Sequence, residues 1–294
     1  MFRIRQLNKI VFPAAFFCSL TTGVSAQTSD IRRELGGLPS ELSIIRTYNS
    51  QSRHNGLFGV GWSTGFEESL TVIDGTTISV SFDDGKAVYF GRIGNTSTYN
   101  AYLPPDDRSN VSVNSDNTYT LTLKTGERRI FGANGRVLFK TDRNNNTTSF
   151  GYNGSGYLTA ITSPAGRTLK LTYNSQGKVV YVSDALGAVA SYVYDDATGL
   201  LIRVTYADGS MYRYFYTNAG SIWRLYMVMD ALDNILEYHE YDGQGRAVTS
   251  EISNGVEKYT ISYTSATETQ VVDALNRITK VTFKREGGES VVTS

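Results

Sequence analysis

Residues 152–180 read YNGSGYLTAITSPAGRTLKLTYNSQGKVV. The stretch opens on Tyr152-Asn153 and passes Gly156; 21 residues later Tyr173-Asn174 and Gly177 do the same. Between these markers lie runs such as Thr168 to Tyr173, in which β-branched and aromatic residues alternate with polar ones, as in half-buried strands. A unit of this length is too short for a strand, a crossover helix and two loops. It does hold two strands of about 5 to 8 residues and two tight turns. Each unit therefore reads as a β-hairpin, and the series as an antiparallel meander.

The beat extends in both directions. Glycine opens an apolar run at Gly135, Gly156, Gly177, Gly199, Gly220 and Gly245, at intervals of 21, 21, 22, 21 and 25. Tyrosine closes one at Tyr152, Tyr173, Tyr194, Tyr216, Tyr241 and Tyr263, and Asn153, Asn174 and Asp195 follow the first three. The tetrads Asp184-Ala185-Leu186-Gly187, Asp230-Ala231-Leu232-Asp233 and Asp273-Ala274-Leu275-Asn276 recur at about double the period. Three markers in phase argue against chance coincidence, and no window lacks glycine and turn residues for long enough to bury a helical face. Each marker has a physical use. Glycine takes positive φ without steric cost, and Asn or Asp bonds its own backbone in the turn. A tyrosine ring covers apolar surface while its hydroxyl reaches water or a carbonyl. Pairs such as Phe150 with Tyr152, Tyr192 with Tyr194, and the row Tyr212, Tyr214, Tyr216 project from one face and form cross-strand ladders.

The first thirty residues differ. Arg3, Arg5 and Lys9 precede an apolar stretch from Ile10 to Leu20, and Val24-Ser25-Ala26 offers small residues for cleavage. This is the pattern of a secretory signal peptide cleaved near Ala26, directing the chain to a secreted, periplasmic or cell-surface location. The stretch is about half the ~20 residues that a membrane span needs. Bulky Phe17 before Cys18 argues against a lipid anchor. Without this segment the chain carries 25 basic and 28 acidic residues and no cysteine. That balance gives no nucleic-acid footprint, and an exported chain without disulfides needs an extensive packed sheet.

A second pattern lies ahead of the array. Gly36-Gly37-Leu38-Pro39 is followed by Arg46-Thr47-Tyr48-Asn49-Ser50 and then by Gly56-Leu57-Phe58-Gly59-Val60-Gly61-Trp62, and none of these fits the repeat. Alternating runs at Thr77 to Phe82, Lys86 to Phe90 and Thr118 to Lys124, joined by turns at Asp83-Asp84-Gly85 and Ser115-Asp116-Asn117, extend the sheet before the regular beat. Pro104-Pro105-Asp106-Asp107 reads as a surface loop between the front module and the array. The chain thus divides into a signal peptide (1–26), a pre-repeat module (27–70), an irregular β-strand region (71–130), the repeat array (131–285) and a truncated tail (286–294).

With its repeats written as Gly-x-Leu/Val, an Asp turn and Tyr-x-Tyr-Asp/Asn, the chain resembles the RHS/YD-repeat family, which includes bacterial Rhs polymorphic toxins and teneurins. The front segment resembles that family's pre-repeat region, with Tyr48, Asn49, Phe58, Gly59, Gly61 and Trp62 as its core. The resemblance implies an all-β fold, an antiparallel meander of YD repeats that curves or spirals into part of a shell. It implies a non-enzymatic scaffold of a bacterial polymorphic-toxin system, partnered by a further RHS chain or by toxin cargo. Two other readings stay open: a cell-surface carbohydrate-binding or adhesion module, motivated by the tyrosine rows, and a truncated product without independent function.

Chemistry is sparse in the sequence. Gly61-Trp62-Ser63-Thr64-Gly65 matches the letters of a serine-hydrolase elbow, but Phe66 to Ile73 reads as a strand where that motif needs a helix, and His239 lies inside a repeat strand. His54 and His239 are the only histidines, so no metal or cofactor site is expected. Asp142-Arg143-Asn144-Asn145-Asn146 lacks the glycine and distal glutamate of an EF-hand and falls at a repeat turn.

Overall fold

The computed structural model describes residues 27–29, 44, 46–50, 52–82, 86–252, 257–286 and 289–292. Residues 1–26, read above as a signal peptide, Gly36 to Pro39 and Asp83 to Gly85, read as a turn, lie outside the described residues. Five short strands come first: β1 (Gln27–Ser29), β2 (Arg46–Asn49), β3 (Asn55–Gly56), β4 (Gly59–Val60) and β5 (Trp62–Thr64). The order β1-β2-β5 makes a small sheet, and β3 pairs with β4.

The main sheet opens with β6 (Ser69–Val72), β7 (Thr77–Ser81), β8 (Ala87–Arg92), β9 (Thr98–Leu103), β10 (Asn110–Val113), β11 (Tyr119–Thr122) and β12 (Arg128–Phe131). It continues through β13 (Val137–Thr141), β14 (Thr147–Tyr152), β15 (Leu158–Thr162), β16 (Thr168–Tyr173), β17 (Val179–Asp184), β18 (Gly187–Tyr194), β19 (Leu201–Tyr206) and β20 (Met211–Ala219). The last members are β21 (Ile222–Asp230), β22 (Ile235–Tyr241), β23 (Ala247–Ile252), β24 (Glu257–Ser265), β25 (Glu268–Val272), β26 (Ile278–Glu286) and β27 (Glu289–Val292).

From β6 to β26, each strand pairs antiparallel with its chain neighbours, giving a 21-stranded meander that does not close into a barrel. β27 then pairs with β26. The expected curved sheet is thus the fold. The wall curls on itself: Leu70 N donates to Gly135 O at 2.9 Å, and Ser69 bridges Arg136. The first strand therefore rests on the turn between β12 and β13, as in a spiral.

The curl has a local cause. The register slips between Gly151 and Tyr152, Thr172 and Tyr173, Val193 and Tyr194, Phe215 and Tyr216, and Glu240 and Tyr241. A β-bulge thus sits beside each of these marker tyrosines, and a bulge bends its strand and increases the local twist. Repeated at the same height in successive hairpins, it curves the sheet. A bulge also disrupts the ladder, and the next unit makes good the loss. Tyr173 donates its hydroxyl to Leu158 O at 2.6 Å, Tyr194 to Val179 O at 2.7 Å, Tyr216 to Leu201 O at 2.8 Å and Tyr241 to Leu225 O at 2.7 Å. Each accepting residue is the ladder partner of the preceding marker tyrosine, as Leu158 is of Tyr152. Tyr152 and Tyr263 follow suit with Val137 O and Ala247 O.

Consecutive turns of a meander alternate between its two rims. All six marker glycines fall on one rim and the three Asp-Ala-Leu tetrads on the other. On the glycine rim, Asn153 Oδ1 accepts from the N–H groups of Ser155 and Tyr157, and Asp242 Oδ1 from those of Gln244 and Arg246. Glycine is needed there twice over. Gly245 has φ +77°, and a Cβ on it would stand 2.5 Å from Arg224 Nη2 and 2.8 Å from Ala219 O. In the same way Arg136 lies across Gly156, and the Tyr157 hydroxyl across Gly177.

Two expectations follow for thermal unfolding. Gly245→Ala, which combines positive φ with occupied space, lowers Tm most; Gly209→Ala, at φ +81° in open space, lowers it less; Gly154→Ala, with neither constraint, leaves it unchanged. Tyr173→Phe removes only the hydroxyl and costs about 1 kcal/mol, a shift of roughly 2–4 °C in Tm by differential scanning fluorimetry.

Candidate functional site

The described residues between Arg46 and Leu70 lie against the inner wall of the sheet, and this contact buries Arg46, Thr64, Glu68 and Lys178. Their own shape comes from Glu67. Its carboxylate accepts from the N–H groups of Leu57 (2.7 Å) and Thr64 (3.0 Å) and lies 3.2 Å from His54 Nε2, which raises the pKa of that imidazole. Gly56 leaves the room, since a Cβ there would meet Glu67 Oε1 at 2.0 Å. Gly61, at φ +83°, lets the Tyr48 ring approach, and Asn49 N donates to Gly61 O at 2.8 Å. Gly59, at φ +99°, faces Gly199 O on the glycine rim.

Tyr48, Phe58 and Trp62 are then buried in one apolar cluster with wall residues from Leu70 to Val228. The Trp62 indole donates to the Tyr216 hydroxyl at 3.0 Å, and that hydroxyl in turn donates a hydrogen bond to Leu201 O at 2.8 Å. Leu225 N donates to the Tyr48 hydroxyl at 3.0 Å. Burial pushes the Tyr48 phenol up to about 12, so it stays un-ionised at neutral pH. The front motif thereby plugs into the same tyrosine bonds that connect one repeat to the next.

Arg46 is the centre of this contact. Only 1% exposed, its guanidinium carbon lies 4.9 Å from the ring centre of Tyr192, 5.3 Å from those of Phe58 and Trp62 and 5.9 Å from that of Tyr214. Nη2 donates to Tyr214 at 3.2 Å and to Tyr206 at 3.4 Å. Burial opposes the charge, but the phenols of Tyr214, Tyr206, Tyr192 and Tyr194 outweigh it, and the pKa rises. A buried cation is costly unless electron-rich groups surround it, and here aromatic faces and hydroxyls do so.

Glu68, also buried, pairs with Lys140 Nζ at 2.6 Å and with Arg129 Nε at 3.2 Å. Lys140 further donates to Gly65 O. Lys178 reaches Asn55 Oδ1 at 2.5 Å and Gly56 O at 3.0 Å, and Val179 N donates to Leu57 O at 3.0 Å. A cleft of about 330 Å³ beside Glu68 is lined in part by Glu127, Arg129 and Lys140, whose charges are already paired with one another and with Glu68.

The structure brings the pre-repeat residues Tyr48, Asn49, Phe58, Gly59, Gly61 and Trp62 together, and it lines the inner wall with the marker tyrosines. Ser63 lies in β5 opposite Thr47, in no helix-following elbow. His239 meets a different serine: Nδ1 is 3.2 Å from Ser250 Oγ across the β22–β23 ladder, and Nε2 is 3.5 Å from Glu237 Oε2. His239 and Ser250 are 3% and 8% exposed, which makes this row a sealed polar contact within the wall. Asp142 spends its carboxylate on the N–H groups of Asn144 and Asn146 and the Asn146 amide, as a repeat turn requires. Sequence reasoning passed over Arg46, Glu67 and Glu68. The one signal for Arg46 was its place two residues before Tyr48, on the same face of a strand.

Two family descriptions match the chain: a domain of unknown function over residues 19–90, and Teneurin YD-shell over residues 76–293. Comparison with curated proteins finds no match. Among solved structures, the chain is similar to TcdB2-TccC3-TEV at 12% identity and a TM-score of 0.35, covering 92% of this chain and 16% of that one. It is similar to TcdB2-TccC3-Cdc42 at 12% identity and a TM-score of 0.31, covering 83% and 18%. It is also similar to the Tc holotoxin pore of Photorhabdus luminescens at 12% identity and a TM-score of 0.36, covering 94% and 16%. The chain spans about one sixth of the length of these solved chains. The YD-shell match takes in more than two thirds of the sequence, together with the glycine and tyrosine repeats that build the wall, and by it the chain belongs to the teneurin YD-shell family.

Proposed function

We propose that the protein is a non-enzymatic structural scaffold, the first coil of an RHS-type shell, exported by its N-terminal segment and serving a bacterial polymorphic-toxin system by enclosing or displaying a polypeptide cargo. The observation that carries this reading is the occupied inner wall. From β12 to β21 the concave face is filled by the chain's own front segment, through Arg46, Tyr48, Phe58 and Trp62, which fixes where the curl starts. Arg46, Glu67 and Glu68 each spend hydrogen bonds or ion pairs on the front segment and the wall, as suits a scaffold. Three members of the rows that motivated carbohydrate binding, Tyr192, Tyr194 and Tyr214, are at most 8% exposed, while Tyr152, Tyr212 and Tyr216 are half-buried.

Two measurements test the reading. Arg46→Ala opens a charge-sized gap among four rings and lowers Tm by on the order of 5–10 °C, while Arg46→Lys, which keeps the charge and loses the planar fork, falls between it and the parent. An unchanged Tm for Arg46→Ala would show that the front segment does not anchor the coil. For the scaffold role, the full chain is co-produced with the products of its adjacent reading frames and treated with protease. A neighbouring product that survives only in the presence of the chain, and a chain recovered outside the cytoplasm starting near Gln27, are the expected results. A neighbour digested equally with and without it, or a chain retaining Met1 in the cytoplasm, sinks the proposal.

A further inference from the structure

Two lysines of the wall reach under the front segment, and they meet different chemistry. Lys140 faces a carboxylate, that of Glu68, at 2.6 Å. Lys178, only 8% exposed, donates to two uncharged acceptors, Asn55 Oδ1 at 2.5 Å and Gly56 O at 3.0 Å. A buried ammonium whose nearest acceptors are neutral gains by giving up its proton. Desolvation accordingly lowers the pKa of Lys178, against the opposing pull of the Glu67 charge. A lysine amine freed of its proton in this way is a nucleophile. The group it faces is a carboxamide, whose carbonyl carbon is open to attack where that of a carboxylate is not.

The two side chains are held within reach of each other. A nitrogen 2.5 Å from Oδ1 stands roughly 2.8–3.7 Å from Cγ, given a C=O bond of ~1.2 Å, and this spans the ~3–3.5 Å of a near-attack contact. Val179 N donates to Leu57 O at 3.0 Å, and Gly59 packs against Gly199 O, so the β3–β4 hairpin is pressed onto the glycine rim on both sides of the pair. Glu67 stands over the same backbone: it accepts from Leu57 N at 2.7 Å, and a Cβ on Gly56 would meet its Oε1 at 2.0 Å. Asn55 is exposed, which gives a small leaving group a way out.

We propose that Lys178 and Asn55 join in an intramolecular isopeptide bond that ties the front segment covalently to the wall. Lys178 Nζ attacks Asn55 Cγ, the Nζ–Cγ bond forms and the Cγ–Nδ2 bond breaks. Nδ2 leaves as ammonia, and the Glu67 carboxylate carries to it the proton that Nζ gives up. Lysine ammonium and carboxamide thus become an amide and an ammonium ion, with no oxidant or added reagent. The link joins residues 123 positions apart in a chain whose single cysteine is Cys18, so it takes the part that a disulfide plays in other folds. It does not depend on enclosure of a cargo.

Mass spectrometry of the full chain tests the bond. The intact protein is expected about 17 Da lighter than its sequence, the mass of one ammonia. Trypsin is expected to release a branched peptide that joins residues 54–86 to residues 171–203, uncut after Lys178. Lys178→Arg, which keeps the charge, and Asn55→Ala each show the full mass of their own sequence, and each lowers Tm by on the order of 10 °C. A parent chain at full mass overturns the proposal. So does an equal loss confined to the unbranched peptide 54–86, or one that persists in Lys178→Arg, since either result is a succinimide at Asn55-Gly56 formed without the lysine.

Discussion

The bond from each marker tyrosine to the carbonyl one hairpin back is the constraint on which this architecture rests. A flat meander of short strands would satisfy its backbone without help, but it would have no inside. The bulge that bends the sheet disturbs the ladder, and a buried carbonyl left without a donor costs about 1–3 kcal/mol. With the hydroxyl supplied from the following unit, curvature carries no such penalty. Tyrosine alone combines the reach, the apolar ring to cover the wall and the neutral donor at the tip. Burial keeps that donor protonated, as the phenol of Tyr152, held up to about 12, illustrates.

A curved wall still has to close over something. In the described chain the filling comes from the front segment, which brings a cation rather than an apolar plug. Arg46 costs more to bury than a leucine would, and a well-packed apolar core is often the more stable choice. Its gain is specificity of position. The guanidinium fits only where rings of both the front segment and β18 and β20 converge, with hydroxyls from β19 and β20 in range. Glu68 does the same at the other end against Arg129 and Lys140. Two charged contacts of opposite sign, one at each end of the segment, determine its direction along the wall. Beyond β22 the inner apolar cluster shrinks to Ala247, Ile261 and Val271 with three half-buried tyrosines, so the filled coil and the later strands differ in kind.

Much of this was legible in the amino-acid order because the repeat is a local object. The positive φ at Gly156 and Gly177, the side-chain caps at Asn153 and Asn174, and the alternation of Leu169 and Leu171 with polar neighbours all act within a few residues, so spacing alone exposes them. The bulges were not legible, since an extra residue in one strand is defined only by its partner strand. Nor were the targets of the hydroxyls. The front contact was hidden for a stronger reason: Trp62 meets Tyr216 across 154 residues and Tyr48 meets Leu225 across 177, and no periodicity spans that distance. The motif Arg46 to Ser50 announced that something non-repetitive was present, but not that its arginine would be drawn into the wall.

The asymmetry between the rims follows from the same logic. A spiral has one rim that faces what the chain has already built and one that faces away. The glycine rim is the inward partner: Leu70 crosses the turn at Gly135, Leu57 bonds Val179, and Gly59 stands against Gly199. Side chains are stripped there because backbone must approach backbone. The opposite rim has no such neighbour among the described residues, so its turns are free to carry side chains of any size. Leu186, Leu232 and Leu275 stand in the Asp-Ala-Leu tetrads that recur with the repeat, at exposed tips where the described chain sets no limit on the size of a side chain.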